Sequence, residues 1–503
     1  MICQDRRVSA PLSVEPGFVD RVREAFDRAD YSASGLQELI GGYALGPIDE
    51  EARMAILRRT TGGSPLEALV RLFLAEEPVD EKIARVALAP LTPAQWADGG
   101  LVETDGERVR GSVRLRSFER AAGGRAIMAS DSWGTKEQAP DHVLGIGSAS
   151  LGLSHITIRR PVSRTLDLGT GGGVQAMDAA LHSESVVATD RNPRAVNFAR
   201  FNLALNNVPN VEVRQGDLFE PVGGDLFGLI VSNPPFVISP ESALLYRDNP
   251  MEGDEFCQLL VRTAAQHLTE GGWCQLLANW AHVKGMDWKQ RVGPWFEGTE
   301  CDAWIIQSQV EDVEQYALNW IRHSAPSAEQ ASQEFNAWLD YYEGARIEAV
   351  GLGMITMRRR SGGAAWVRFD DLKQPLDTRC GEAIATGFEL EDWIRAHPDD
   401  AGLLASRLAA SPDAELQQRS STGPNGWSVD RQELRLVRGL RFTGTVDWTT
   451  ANIVAACDGT RTVGELFGDL AAKLGVERSV IATEGCPIVR RLIQQGFLLP
   501  AGA

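Results

Sequence analysis

Four short stretches of this chain carry residue types that could do chemistry together: Asp167-Leu-Gly-Thr-Gly-Gly-Gly173, Asp190-Arg191-Asn192, Asp217-Leu218 and Asn233-Pro-Pro-Phe236. Each closes an apolar run. Glycines at 169, 171 and 173 let backbone approach a ligand closely, and a helix starting at Val174 would aim N–H groups at it. The dinucleotide pattern G-x-G-x-x-G would need glycine at 174, where the chain has Val174, so little here points to a pyrophosphate cradle. Asp167 can accept from an amine or position the loop. Asp190 can accept from both hydroxyls of a ribose, or stand as a helix-start acid. Asp217 can take the amino group of a base, or be an acidic turn residue. Asn233 offers a side-chain carbonyl, while Pro234 and Pro235 remove two donors, stiffen the turn and leave their carbonyls as fixed acceptors. Phe236 could stack on a planar substrate. The set suits an –NH2 conjugated to a ring or carbonyl: two acceptors hold its hydrogens while the lone pair turns toward an electrophile.

The elements that must position these residues are legible as alternating periods. Stretches 165–168, 185–189, 211–215 and 226–231 read as buried strands, and 174–181 as a helix. Asn192 and Pro193 cap and open a second helix, with Val196, Ala199 and Leu203 as its apolar stripe. Strand–helix alternation of this kind predicts a parallel sheet with helices on both faces. Beyond the tetrad, 256–268 reads as a helix, and 273–278, 302–306 and 353–357 as strands. Between the last two lies a helical insertion, 311–342, whose Trp320, Trp338, Tyr341 and Tyr342 read as core more readily than as a substrate platform.

Taken together, residues from about 141 to 360 resemble the class I S-adenosylmethionine (SAM)-dependent methyltransferases. More narrowly they resemble the N-methyltransferase branch marked by Asn or Asp, two prolines and an aromatic, which Asn233-Pro-Pro-Phe236 matches in full. That branch includes adenine-N6 DNA enzymes, rRNA and tRNA enzymes, and glutamine-N5 enzymes that modify release factors. Phe in the last place is commonest among the rRNA members. The resemblance implies a Rossmann-like, doubly wound, seven-stranded α/β sheet. It implies SAM held by Asp167, Gly169, Thr170, Gly171 and Gly173 near the methionine moiety, by Asp190, Arg191 and Asn192 near the ribose, and by Asp217 and Leu218 near the adenine. It places Asn233, Pro234, Pro235 and Phe236 at the target nitrogen as the catalytic set, with Asn233 also facing the cofactor. No metal is implied.

The flanks set the substrate question. Residues 14–95 read as helices, followed by a strand and a turn, an order resembling a winged helix. Arg108, Arg110, Arg114 and Arg116 share one parity, so a single continuous strand would present four arginines on one face as a nucleic-acid backbone contact. A solvated sheet face is the alternative, with Gly111-Ser112 as a possible break. The small-residue stretch 143–153 could cover the cofactor or serve as a connector. Near the end, Asp458-Gly-Thr-Arg-Thr-Val-Gly-Glu-Leu466 and Gly496-Phe-Leu resemble small PqqD-like or winged-helix modules of peptide-modifying systems. These marks divide the chain into a helical, winged-helix-like part (1–140), a methyltransferase core (141–362) and a C-terminal α+β part (363–503).

At 503 residues, with 43% hydrophobic and 23% charged residues, the chain can build several cores. The net charge of −18 argues against a protein basic all over. Seven scattered cysteines without a C-x-x-C pair suggest neither a disulfide framework nor a zinc site. No apolar run approaches a membrane span, so a cytoplasmic location is expected. The leading expectation is methylation of a planar amine of RNA, most often ribosomal; the alternatives are a protein glutamine or peptide, a small molecule, or a non-catalytic SAM-binding protein.

Overall fold

The computed structural model describes residues 11–44, 48–121, 123–132, 139–240, 245, 247–248, 251–324, 327–372, 374–377, 380–423 and 426–501. It forms two compact units, one of Met1–Ser154 with Arg160–Asp371, the other of His155–Arg159 with Leu372–Ala503.

The first unit is organised by an eight-stranded sheet: β1 (Val162–Leu168), β2 (Ser183–Asp190), β3 (Val211–Gln215), β4 (Phe227–Ser232), β5 (Leu268–Val283), β6 (Cys301–Asp312), β7 (Ile347–Arg359) and β8 (Val367–Asp371), in the order β8-β6-β7-β5-β4-β1-β2-β3. β1 to β5 run parallel, β7 is antiparallel to both neighbours, and β8 adds to β6 in parallel. The seven expected strands are therefore joined by an eighth, beyond the division placed at 363. It is tied in by Arg368 stacked 4.0 Å over Trp304 and by Trp304 Nε1 donating to Asp370 at 3.0 Å.

Both sheet faces are covered, which is why its strands read as nearly continuous apolar runs. Leu166, Val187 and Ile230 face one layer with Phe256, Leu260 and Val261 of the helix Glu255–Gln266; Val186 and Ala188 face the other, with Met177, Val196, Ala199 and Leu203. The chain winds outward from β1 through β2 and β3, then crosses back to place β4 on the other side of β1. That reversal opens a crevice at the carboxyl ends of β1 and β4.

The N-terminal helices share a core with a helix that covers this sheet. Phe26, Phe73 and Trp96 pack in one cluster with Phe198, Phe201 and Leu205 of the helix Pro193–Leu205. From Pro65–Phe73 onward the order is helix, strand, two helices, two strands, with the strands pairing as 79–80, 108–111, 102–104, the order of a winged helix. The four arginines do not share one strand; the break that the sequence offers at Gly111-Ser112 is the one that forms. Arg108 and Arg110 sit on Arg108–Gly111, while Arg114 and Arg116 sit on Arg114–Glu119, which pairs instead with Arg125–Ser130 in a separate hairpin. The break falls at Gly111, where a Cβ would lie 2.3 Å from the Leu72 carbonyl, so close helix packing turns the chain there. Arg114 is paired with Glu76 at 2.8 Å and Arg116 is half-buried.

That hairpin is docked through asparagines. Asn206 accepts from Ile127 N–H at 2.9 Å and donates to its carbonyl at 2.7 Å; Asn202 does the same for Ala129 at 2.8 and 3.0 Å. Two side-chain amides one helical turn apart thus satisfy the hairpin edge as a neighbouring strand would.

In the second unit, strands Asp458–Thr462, Arg407–Ala410 and Leu498–Pro500 pair in that order beside helices Val463–Leu474 and Arg478–Gln494. A hairpin pairs Ala414–Gly423 with Gly426–Leu436.

Candidate functional site

The crevice holds a cavity of about 240 Å³ whose wall collects most of the residues singled out in the sequence: Gly169, Thr170, Gly171, Asp190, Arg191, Asn192, Asp217, Leu218, Asn233, Pro234 and Pro235. Asp167, Gly173 and Phe236 are not on the wall.

The glycine loop has its shape for a stated reason. Gly169, Gly171 and Gly173 have φ of 72°, 54° and 92°, a region costly for residues with a Cβ. At 169 and 171 a Cβ would meet no protein atom within 4 Å, so the loop leaves open space on its ligand side. Asp167 lies beneath it, 1% exposed, and its Oδ2 accepts from Thr170 Oγ1 at 2.5 Å and from Ala176 N–H at 2.8 Å. Of the two roles open to Asp167, the structure shows the positioning one. Burial raises its pKa to about 7.

Asp190 ends β2 and stands half-exposed at the wall. Its Oδ2 accepts from Gly171 N–H at 2.8 Å and its Oδ1 from Asn192 N–H at 2.9 Å, each oxygen keeping a further lone pair. Burial raises its pKa against those bonds. Asn192 spends its side chain structurally, accepting from Arg194 N–H as helix cap and donating to the Asp141 carbonyl. Arg191 is exposed at the rim. Asp217 is exposed, and Leu218 after it has φ 47°, a strained turn that sets both at the end of β3.

At the end of β4, Ser232 donates to the Leu168 carbonyl at 2.8 Å, holding the tetrad against the start of the glycine loop. Pro234 is buried. Asn233 Oδ1 is buried and has no hydrogen-bond partner among the described residues. Phe236 is half-buried against two apolar clusters, with Leu218 and Trp280 in one and Tyr316 and Trp338 in the other, and is not among the wall residues.

Wall residues that sequence reading passed over include His142, Gln175, Leu245, Phe256 and Leu260, while Ser150 comes from the 143–153 stretch offered as a cofactor cover. Phe256 and Leu260 lie one turn apart on a helix already recognised, and that i, i+4 spacing was the available signal. Gln175 donates to the Ser150 carbonyl at 2.7 Å, which fixes the small-residue stretch over the cavity. Part of that stretch, Ser148–Ile156, is helical rather than a loop. Burial lowers the pKa of His142, so it is neutral near pH 7. The charged groups on the described wall are then Asp190, Asp217 and Arg191; the rest is apolar or neutral.

Comparison with known proteins agrees with this geometry. The family model of the methyltransferase small domain matches residues 142–286, and two domains of unknown function, DUF7059 and DUF7782, match 28–112 and 385–500. A release factor glutamine methyltransferase of Aliivibrio fischeri is 32% identical over 140 residues, 25% of this chain and 48% of that protein. A ribosomal protein uL3 glutamine methyltransferase of Bradyrhizobium diazoefficiens is 33% identical over 149 residues, 27% of this chain and 46% of that protein. The chain thus spans about half the length of the curated relatives it matches. A solved T. thermophilus 16S rRNA N2 G1207 methyltransferase in complex with AdoMet and guanosine is 16% identical with a TM-score of 0.28, covering 52% of this chain and 67% of that one. On the loop, crevice and tetrad at these positions and on the match over 142–286, the core of this chain is that of a class I SAM-dependent methyltransferase of the N-methyltransferase type.

Proposed function

We propose that this protein transfers a methyl group from SAM to the nitrogen of a planar amide, and that the amide is a glutamine side chain of a protein of the translation machinery. The observation that carries the reading is Asn233 Oδ1: a buried acceptor on the cavity wall without a partner, a costly arrangement unless a donor is brought to it. SAM, when bound, supplies an electrophilic methyl. The open space at Gly169 and Gly171 and the spare lone pairs of Asp190 fit its amino-acid and ribose parts.

The residues of the chain then have little proton chemistry to do. Asn233 Oδ1 and the Pro234 carbonyl accept the two hydrogens of the target –NH2 and orient its lone pair along the transfer axis. As positive charge grows on that nitrogen the same acceptors stabilise it, and one N–H proton passes to water once the methyl has been transferred. The apolar wall of Leu245, Phe256 and Leu260 keeps water from competing for the methyl. Holding nitrogen and methyl about 3 Å apart supplies much of the acceleration.

An exocyclic amine of RNA would meet the same acceptors. Two observations favour the amide. Phe236 is not on the cavity wall, so a nucleobase loses its stacking partner, and the arginine run is divided between two strands. The named functions of the relatives at 32% and 33% identity point the same way. The test is to incubate the full chain with methyl-labelled SAM and, separately, unmethylated release factor, ribosomal protein uL3 and deproteinised rRNA. Label on a glutamine of a protein is expected; label on rRNA alone would overturn the amide assignment.

A further inference from the structure

We propose that Tyr316 and Tyr342, on the helical insertion between β6 and β7, are positioning residues for Asn233, acting through the backbone of Ile238; the proposal rests on the methyl-transfer reading above. The insertion comprises Val313–Ser324 and Ala328–Gly344, and neither tyrosine is on the cavity wall. Their rings are 0% and 1% exposed, in one cluster with Val237, Ile238 and Trp338. Packing would be served by phenylalanine. The hydroxyls are what packing does not explain. Ile238 N–H donates to Tyr316 Oη at 3.2 Å, and Tyr342 Oη donates to the Ile238 carbonyl at 2.7 Å. Both backbone groups of one residue, two places after the tetrad, are thus held by side chains from a single insertion. Tyr316 Oη is itself fixed by Asn279 Nδ2 of β5 at 2.8 Å. A third hydroxyl, Tyr341 Oη, accepts from Gly253 N–H at 3.0 Å, just before the helix that brings Phe256 and Leu260 to the wall.

The tetrad is therefore anchored on both sides. Ser232 ties its start to the Leu168 carbonyl, and the tyrosine pair ties its exit at Ile238. Between them the two prolines leave few soft torsions. The position of Asn233 Oδ1 is set by both ends, and a displacement of about 1 Å at a reacting group can cost on the order of a hundredfold in rate.

The experiment uses the full chain with Tyr316→Phe, Tyr342→Phe, the pair together, and the pair combined with Asn233→Ala. Methyl transfer from labelled SAM to unmethylated release factor is followed, with SAM affinity by calorimetry and amide exchange of the peptide spanning 232–238. The paired substitution is expected to lower kcat at least tenfold, with KM for the release factor and Kd for SAM within threefold of the parent. In the Asn233→Ala background it should add almost nothing, because the clamp acts through that residue; loss of stability alone would add in full. Unchanged kcat, or a fully additive loss, overturns the proposal. If the parent chain labels neither release factor nor ribosomal protein uL3, the functional reading fails separately. The clamp is then judged by exchange at 232–238: acceleration confined to that peptide supports it, and none overturns it.

Discussion

At the scale of single residues, three carboxylate or amide groups divide the work of the crevice, and each makes a distinct expectation. Asn233→Ala should leave SAM affinity within about twofold but cut turnover at least about a hundredfold, the scale for removing one acceptor that acts on developing charge. Near-normal single-turnover rates would remove the tetrad from the mechanism. Asp190→Ala should weaken SAM binding by about 1.5–3 kcal/mol, the range for hydrogen bonds to a charged group. Calorimetry at one temperature, with the melting point as a folding control, decides this; an unchanged Kd would leave Asp190 as a tie between Gly171 and Asn192 only. Asp167 differs because it is buried and its pKa is raised to about 7, above the 3.8 of an unfolded chain. The folded state prefers the proton, so the stability this group contributes is complete below about pH 4 and is lost as pH rises through about 7. Asp167→Asn keeps a carbonyl for Ala176 N–H and never ionises. Its melting point relative to the parent should therefore rise between pH 4 and 8; a constant difference would show that Asp167 does not titrate in that window.

At the scale of elements, the strands and helices of the core were legible because each is buried on a regular period. The sequence pattern placed β1 to β4 and both helices between them, and all four of their carboxyl-end loops meet at one cavity as a parallel sheet requires. What could not be read was contact made by polar side chains over long separations. Asn202 and Asn206 look like ordinary helix-surface residues, yet they serve the backbone of a hairpin more than seventy positions earlier. The arginine run was open in the sequence for a different reason: parity is meaningful only within one strand, and of the two readings offered the break at Gly111, close against Leu72, is the one that forms. Asn202 also donates to the Gly172 carbonyl at 2.9 Å, joining hairpin, helix and glycine loop. Asn202→Leu, close in volume, should destabilise the chain by at least about 2 kcal/mol, since it strands the buried N–H and C=O of Ala129. Denaturant unfolding measures this. A loss under about 0.5 kcal/mol would show that the hairpin re-pairs elsewhere.

At the scale of the whole molecule, charge is the property that separates the two acceptor classes. The chain carries −18, and among the described wall residues only Arg191 is cationic. An RNA acceptor would have to be held by basic groups elsewhere, and the one candidate row is split, with Arg114 already paired to Glu76. The flanks match two domains of unknown function, over residues 28–112 and 385–500. Salt separates these cases without knowledge of the contact residues. A complex neutralising six or more phosphates loses on the order of a thousandfold in affinity between 50 and 200 mM salt, because counterions are released on binding. Rim charges at a protein interface mainly change the on-rate, by far less. For the labelled acceptor, KM is therefore expected to change less than about fivefold across that range. A steep power-law rise would mean that a polyanion is bound, and would move the acceptor back to RNA whatever the tetrad does.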